Sequence, residues 1–484
     1  MIRSAIDLKQ AAAMSIARKK PKQRQVVNLT QGIIWKQILL FALPIMGSNL
    51  FQQLYNTVDS LVVGRFVSHT ALAAVGSAGS VSYLLIGFFM GMGTGAGVVV
   101  SQYYGAKDYE KLEKSVHTAV AMSLLFGIVL GILGVVLTPS LLRLMNTPED
   151  VMDQAVLYLR IIFGGLITMT VYNVGSGILR AVGDSKRPLY YLIVAGISNT
   201  VLNLFFVLVV GLGVDGVAYG TILSQLISSI LVIVNLVRSK EVYRLSLRKI
   251  RFHKDIFLEI CKIGIPSGVQ SMVISLSNVV IQANINVFGS SAMAGYSAAS
   301  RVDGFVYMPL NAFSLSLTTF TAQNLGAGNV KRVRQGTRTG ILMGLIVTAT
   351  IGILVAIFSR QLTRLFSTDA EVIYYGARTI VVLGLGYSLF VFNDILAGVI
   401  RGAGNATVPM IISIFNMCVV RILWLSILLP IWQNFNLVLV CFPMTWALSS
   451  ACYILYYFKG SWFKRWEQTA HFQKESVQTS SQEG

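Results

Sequence analysis

Ser48, Gln52, Tyr55, Asn56 and Asp59 recur at steps of four, three, one and three residues, which on a helix gathers them on one face. Their neighbours are apolar enough to sit in lipid, so a face carrying a carboxylate has to turn inward, toward water or other polar groups. A carboxylate partly withdrawn from solvent there can bind a proton or a cation reversibly, which makes Asp59 the first candidate for ion coupling. The other reading, a helix-end aspartate near the outer surface, fits poorly with the apolar continuation Leu61 to Val63. Asn199 and Asn203, four apart, and Asn173 supply amides that can donate to Asp59 or offer carbonyl oxygens to sodium, a hard cation that prefers oxygen ligands. Hydrogen bonding between helices is the alternative use of these three amides. Gln52, Tyr55 and Asn56, with Asn278 and Gln282 further along the chain, are candidate substrate contacts. Asp394 follows Asn393 and precedes Arg401 by seven residues on the same face. It can hold a cationic substrate or a second ion, or it can pair with that arginine. Arg301 and Asp303, two apart, point in different directions, so each is expected to meet another helix.

The segments that must position these groups are apolar. Of 484 residues, 54% are AVILMFWYC and only 12% charged, and the mean hydropathy is +0.67. Twelve helices of roughly 20 residues would take about half the chain and leave short loops, which excludes a soluble enzyme. A net charge of +19 could suggest nucleic acid, but the Lys and Arg lie in short intervals between apolar blocks, so no nucleic-acid partner is expected and the charges read as topology signals. Cys261, Cys418, Cys441 and Cys452 show no CxxC spacing, so neither a zinc site nor a disulfide framework is expected. His117 and His253 are isolated in or beside inner connections and are not expected to be metal ligands. The glycines Gly87 to Gly97 lack the GKS or GKT of a phosphate loop and read as sites of close helix approach. No ATP-binding module is legible, and no cofactor is expected.

The apolar runs predict spans near Trp35 to Gly64, Ala71 to Ser101, Thr118 to Leu142, Gln154 to Leu179, Pro188 to Gly211 and Gly216 to Val237. A second set lies near Ile263 to Phe288, Ala292 to Ala322, Thr339 to Phe358, Tyr374 to Ile400, Pro409 to Leu429 and Ile431 to Phe458. With the N-terminus inside, the tails and inner loops hold 29 Lys and Arg, against four outside: Arg65, Arg143, Arg360 and Arg364. That asymmetry predicts cytoplasmic N- and C-termini in the cell inner membrane. The division expected is an N-terminal tail (residues 1–31, basic at Arg18 to Arg24), an N-lobe (32–237), a cytoplasmic linker (238–254), a C-lobe (255–458) and a C-terminal tail (459–484). The fold class is all-α integral membrane, twelve helices in two six-helix bundles, acting as a monomer in the lipid bilayer.

The two bundles repeat. Adding 221 carries Gln102 and Gly105 of SQYYGAKD onto Gln323 and Gly326 of AQNLGAGN, GILRAVGD onto GVIRGAGN, LLRLMNT onto LTRLFST, Pro188 onto Pro409 and Asn173 onto Asp394. One offset over that much sequence is duplication. Six helices per copy make the repeat parallel, with its pseudo-twofold axis along the membrane normal. Asp59 breaks the symmetry: its counterpart is an isoleucine near Ile281, although Asn56 still matches Asn278.

At these residues the chain resembles the multidrug and toxic compound extrusion (MATE) family. The likeness is carried by LPIMGSNLFQQLYNTVDSLVVGR, by the paired SQYYGAKD and AQNLGAGN, and by the paired NVGSGILRAVGDSKRP and NDILAGVIRGAGNATVP, over roughly Gln31 to Tyr457. The resemblance implies a secondary antiporter, two six-helix lobes around a central cavity, that exports organic cations in exchange for protons or sodium ions by alternating access. It also implies that Asp59 is the coupling aspartate. The chain departs from some members in carrying Asn203 where they have an aspartate, and in lacking a glutamate on the seventh span. Sixteen Met and 50 aromatic residues (25 Phe, 19 Tyr, 6 Trp) suit a pliable cavity for organic cations. The alternative is a lipid-linked oligosaccharide flippase of related architecture, for which a strongly cationic cavity is expected; the in-span arginines are instead scattered. A channel or membrane enzyme is disfavoured by the duplication and by the want of a catalytic constellation.

Overall fold

The computed structural model describes residues 26–463 and 466, apart from 68 and 146, so the basic N-terminal stretch and most of the C-terminal tail lie outside the described residues. Among those described there is no strand. The spans are α1 (Ile34–Phe66), α2 (His69–Ala106), α3 (Tyr109–Leu144), the pair α4 (Glu149–Gly164 and Leu166–Ala181), α5 (Lys186–Val209) and α6 (Val214–Arg238). After the linker come α7 (Lys254–Asn286), α8 (Ser290–Gly326), α9 (Val330–Ile357), α10 (Ala370–Gly402), α11 (Thr407–Leu428) and α12 (Phe435–Lys459). Among the described residues nine of these are long and apolar enough to cross a membrane, and the pair in α4, bent by 47°, makes a tenth. α2 and α8 complete the twelve. α8 carries Ser314, Ser316, Thr318, Thr321, Gln323 and Asn324, all buried against its neighbours.

Several boundaries differ from the sequence reading: α3, α7 and α9 begin at Tyr109, Lys254 and Val330 rather than Thr118, Ile263 and Thr339, because the polar approach to each span is helical too. Span 4 is broken at Gly165 rather than continuous. Span 12 begins at Phe435, not Ile431, because the Asn434 side chain accepts from the Asn436 amide at 2.9 Å and caps the helix there. α5 ends in a π turn, Phe205–Val209, which follows Leu204 and so begins two residues after Asn203. A second π turn, Phe415–Val420, interrupts α11. Exposed apolar rows at helical spacing, such as Ile128, Ile132 and Val136 on α3 or Ile197, Val201 and Phe205 on α5, face outward, as a lipid-contacting surface requires.

The duplication is visible in the backbone. Gly183 and Gly404, 221 apart, have φ of 94° and 93°, and Lys107 and Gly328, also 221 apart, have φ of 57° and 71°. Each of the last two ends a helix in the left-handed conformation before the next begins. Asp108 then caps α3, its carboxylate accepting from the Lys111 amide at 3.1 Å.

The hydrophobic cores show how the halves join. The half of the N-terminal bundle away from the linker has a core of its own, from Val62 and Ala71 to Val217 and Ala218. On the linker side the helices are exchanged: Ile38, Phe41, Ala42 and Ile45 of α1 belong to the core of the C-terminal bundle, and Ile256, Ile260 and Ile263 of α7 belong to that of the N-terminal bundle. α2 and α7 approach closely there through Gly91 and Gly95 against Gly268 and Gly264. This fits the role expected of the α2 glycines.

The linker is docked on α3. The buried His117 ring donates from Nδ1 to the Glu113 carbonyl (2.7 Å), which leaves Nε2 to accept from the Ser246 amide (3.0 Å). His253 meets the Thr118 hydroxyl at 3.1 Å, and Lys249 pairs with Glu113 at 2.7 Å. The two histidines are therefore structural pins rather than isolated groups.

Candidate functional site

α1 delivers Asp59 into the N-terminal bundle, where it is 9% exposed. α5 faces it with Asn203, whose amide donates to Asp59 Oδ1 at 2.5 Å and to Asn199 Oδ1 at 3.2 Å. Asn199 in turn donates to the Tyr55 hydroxyl (3.2 Å) and to Thr221 Oγ1 on α6 (3.4 Å). Three helices thus close a polar cluster of Tyr55, Asp59, Asn199, Asn203 and Thr221 within an apolar bundle. The four-residue spacing on α5 stacks its two amides on one face, and the eleven residues from Ser48 to Asp59 keep Tyr55 and Asp59 on one face of α1.

Room for the cluster comes from Gly220. A Cβ at that position would lie 2.0 Å from Asn203 Oδ1, so any side chain there would push the amide out of place. That Oδ1 is itself buried and has no hydrogen-bond partner. The described ion pairs include no lysine or arginine against Asp59. A buried carboxylate without a cation, beside an unpaired amide oxygen and a hydroxyl, is a set of hard oxygens that suits a proton on the carboxyl or a sodium ion among the oxygens. Among the described residues no group of three or more His, Cys, Asp and Glu could hold a metal; the oxygens here are one carboxylate and neutral groups.

The structure brings Asp59, Asn199, Asn203 and Tyr55 together, but not Asn173, which donates to the Met169 carbonyl one turn back on its own helix (2.9 Å). Asn278 is exposed on α7, and Gln282 donates to Asn286 on that same helix at 2.9 Å. Gln52 and Asn56 are half-buried on α1. Thr221 was not anticipated; the run Thr221, Ser224 and Ser228 on one face of the sixth span was the signal available.

Asp394 sits apart, in the C-terminal bundle. It is linked to Arg401 through Ser314, whose hydroxyl accepts from Arg401 Nη2 (3.4 Å) and donates to the Asp394 carbonyl (2.8 Å). Asp394 Oδ2 and Arg401 Nε are buried and unpartnered, so the two do not form the direct ion pair that was one of the readings. Asp303 faces Tyr387 on α10, whereas Arg301 is exposed. Arg421 is buried, donates to Thr445 Oγ1 (3.1 Å) and stacks over Phe442. A groove of about 300 Å³ between α3 and α4 (Gly127, Gly131, Phe163, Ile167) and one of about 350 Å³ beside Trp424 and Trp432 hold none of these groups. The first is a lipid-facing furrow, remote from the chemistry.

A family model described as MatE matches residues 44–205 and 266–425. A probable multidrug resistance protein, YoeA, of Bacillus subtilis (strain 168) is 33% identical over 391 residues, 79% of this chain and 84% of that one. A second from the same strain, the probable multidrug resistance protein YpnP, is 30% identical over 435 residues, 90% and 97% of the two chains. Among solved structures, a crystal structure of MATE in the bent conformation superposes with a TM-score of 0.85 at 23% identity, covering 93% of this chain and all of that one.

Proposed function

We propose that this chain, which belongs to the MatE family of multidrug efflux transporters, expels cationic amphipathic compounds across the cell's inner membrane in exchange for protons or sodium ions. The observation that carries this reading is the buried, cation-free Asp59 in the cluster on α1, α5 and α6. Binding an ion there removes a net charge from the bundle interior, so the packing of α1 against α5 and α6 becomes sensitive to occupancy. Pro44 lies within α1, between its linker-side half and Asp59, and offers a point at which the two halves of the helix flex. Asn173 then acts apart from the ion site. Gln52, Tyr55, Asn56, Asn278, Gln282 and Asp394 contact substrate in states of the cycle that bring the lobes' inner faces together.

The lobes are residues 32–237 and 255–458, and the linker and both termini are cytoplasmic, in a monomer surrounded by lipid. The family is one of transporters, not enzymes, and needs no cofactor; it does not favour the flippase alternative. The test is efflux of a fluorescent organic cation from purified, reconstituted protein under separately imposed proton and sodium gradients. Efflux driven by one gradient, and lost in Asp59→Asn while insertion and folding are retained, is the expected result. Normal gradient-driven efflux by Asp59→Asn would remove Asp59 from the mechanism.

A further inference from the structure

At the linker-side ends of α2 and α8 the two halves hold each other by one contact made twice. Gln102 of α2 donates from Nε2 to the Gly402 carbonyl at the end of α10 (3.0 Å), and Gln323 of α8 donates from Nε2 to the Ala181 carbonyl at the end of α4 (2.6 Å). Donor and acceptor are each displaced by the repeat offset, 102 to 323 and 181 to 402. The helices carrying them touch through Gly105 and Gly326, again 221 apart. A Cβ on either would lie 2.0 Å from a backbone oxygen, that of Gln323 for Gly105 and that of Gln102 for Gly326. Each carbonyl belongs to the last turn of a helix, where no intrahelical amide remains to satisfy it. Each glutamine therefore supplies an amide donor from the opposite half to a helix-end carbonyl; at Ala181 it shares that carbonyl with the Ser101 hydroxyl of α2 (3.3 Å).

We propose that Gln102 and Gln323 are positioning residues of the transport cycle, a paired amide latch that keeps the linker-side gate shut and sets how often it opens. This rests on the alternating-access reading above. Opening that face requires both bonds to break together, because a separation of the lobes that preserves the pseudo-twofold displaces both pairs equally. The segment before α1 adds a strap across the same seam. Val27 N donates to the Gly183 carbonyl of the N-terminal bundle at 3.1 Å. The buried Leu29 sits in the core of the other bundle, and its carbonyl accepts from Asn324 (3.1 Å) and Arg332 (3.3 Å).

The experiment uses the full chain in nanodiscs, with its four native cysteines replaced and spin labels at Glu110 and Lys331, exposed positions 221 apart on the two sides of the gate. Gln102→Met and Gln323→Met keep the side-chain length and remove the donor. Each is expected to raise the ratio of gate-open to gate-closed distances about fivefold, and the double variant about twenty-five-fold, the factors that follow from one net hydrogen bond each. Gly105→Ala, which leaves both glutamines intact and wedges the seam, should shift the distances the same way. An unchanged distance distribution in the double variant would overturn the latch. Labelling of a cysteine at Lys331 by an impermeant reagent outside intact cells would instead overturn the cytoplasmic placement, and the distances would still judge the latch itself.

Discussion

Asp59 is a buried carboxylate that the C-terminal half lacks at the matching position, where Ile281 stands. Asp59 was legible in the sequence because a charge inside an apolar run stands out, and because its repeat position near Ile281 is apolar and fully buried. Asn199 and Asn203 were legible as a four-residue pair. Thr221 was not, since it comes to Asn199 from a neighbouring helix and no spacing rule joins two helices. Asn173 was grouped with the site on residue type alone, and its amide turned out to be spent on its own helix. If Asp59 carries the proton, raising the pH should strengthen binding of an organic cation in the wild-type protein and do so less in Asp59→Asn, because drug and ion binding are reciprocally linked. Equal responses measured by equilibrium binding would move the proton elsewhere, with Asp394 next in line. A sodium response without a pH response would favour the oxygens around Asp59, Asn203 and Thr221. Gly220→Ala should destabilise the protein by about 1–3 kcal/mol, the usual cost of overpacking, because its Cβ meets Asn203 Oδ1 at 2.0 Å. An unchanged thermal unfolding midpoint in detergent would show that the amide can move aside freely.

Hydropathy placed the apolar stretches but not the helix ends: α3, α7 and α9 start in polar sequence, at Tyr109, Lys254 and Val330, and other boundaries were decided locally. The break at Gly165 has apolar residues on both sides, so hydropathy passes over it; the Gly164–Gly165 pair was the signal available, and the bend there is 47°. The start of α12 was set by an asparagine cap inside a run that otherwise reads as membrane. In the linker, charge count read the seven basic residues as topology signals alone, whereas Lys249 also pairs with Glu113, and docking on α3 runs further through His253 of the linker and His117 of α3. Burial, with help from Arg251, holds the His253 imidazole below its usual range. A base whose folded-state value is depressed contributes stability above its unfolded value, near pH 6.5, and loses it as the pH falls through that value. The protection of amides in residues 246–253, taken relative to intrinsic exchange at each pH, should therefore fall as the pH drops from about 7 to about 5, and a His253→Gln variant should lose most of that dependence. Identical pH profiles in the two proteins would assign the docking to other groups.

For the whole molecule, the constant offset of 221 was the most informative feature of the sequence, since it fixed parallel repeats before any contact was known. It could not show that α1 and α7 exchange partners on the linker side, because exchange leaves the periodicity of each helix unaltered. The topology predicts that a cysteine engineered into residues 238–254 resists an impermeant reagent added outside intact cells, and ready labelling would invert the assignment. The exchanged helices also constrain how the protein is made. Ile38, Phe41 and Ile45 find their core only among residues of the second half, some 270 positions later, such as Leu310, Phe313 and Leu317. At about 5–20 residues per second of synthesis, the first helix waits roughly 15–50 s in the bilayer with that face unclaimed. Throughout that interval the nascent N-terminal half is an unfinished client of the insertion machinery, open to capture by membrane chaperones or proteases. Slowing translation just before α8 should therefore lower the yield of assembled transporter more than the same delay after α10.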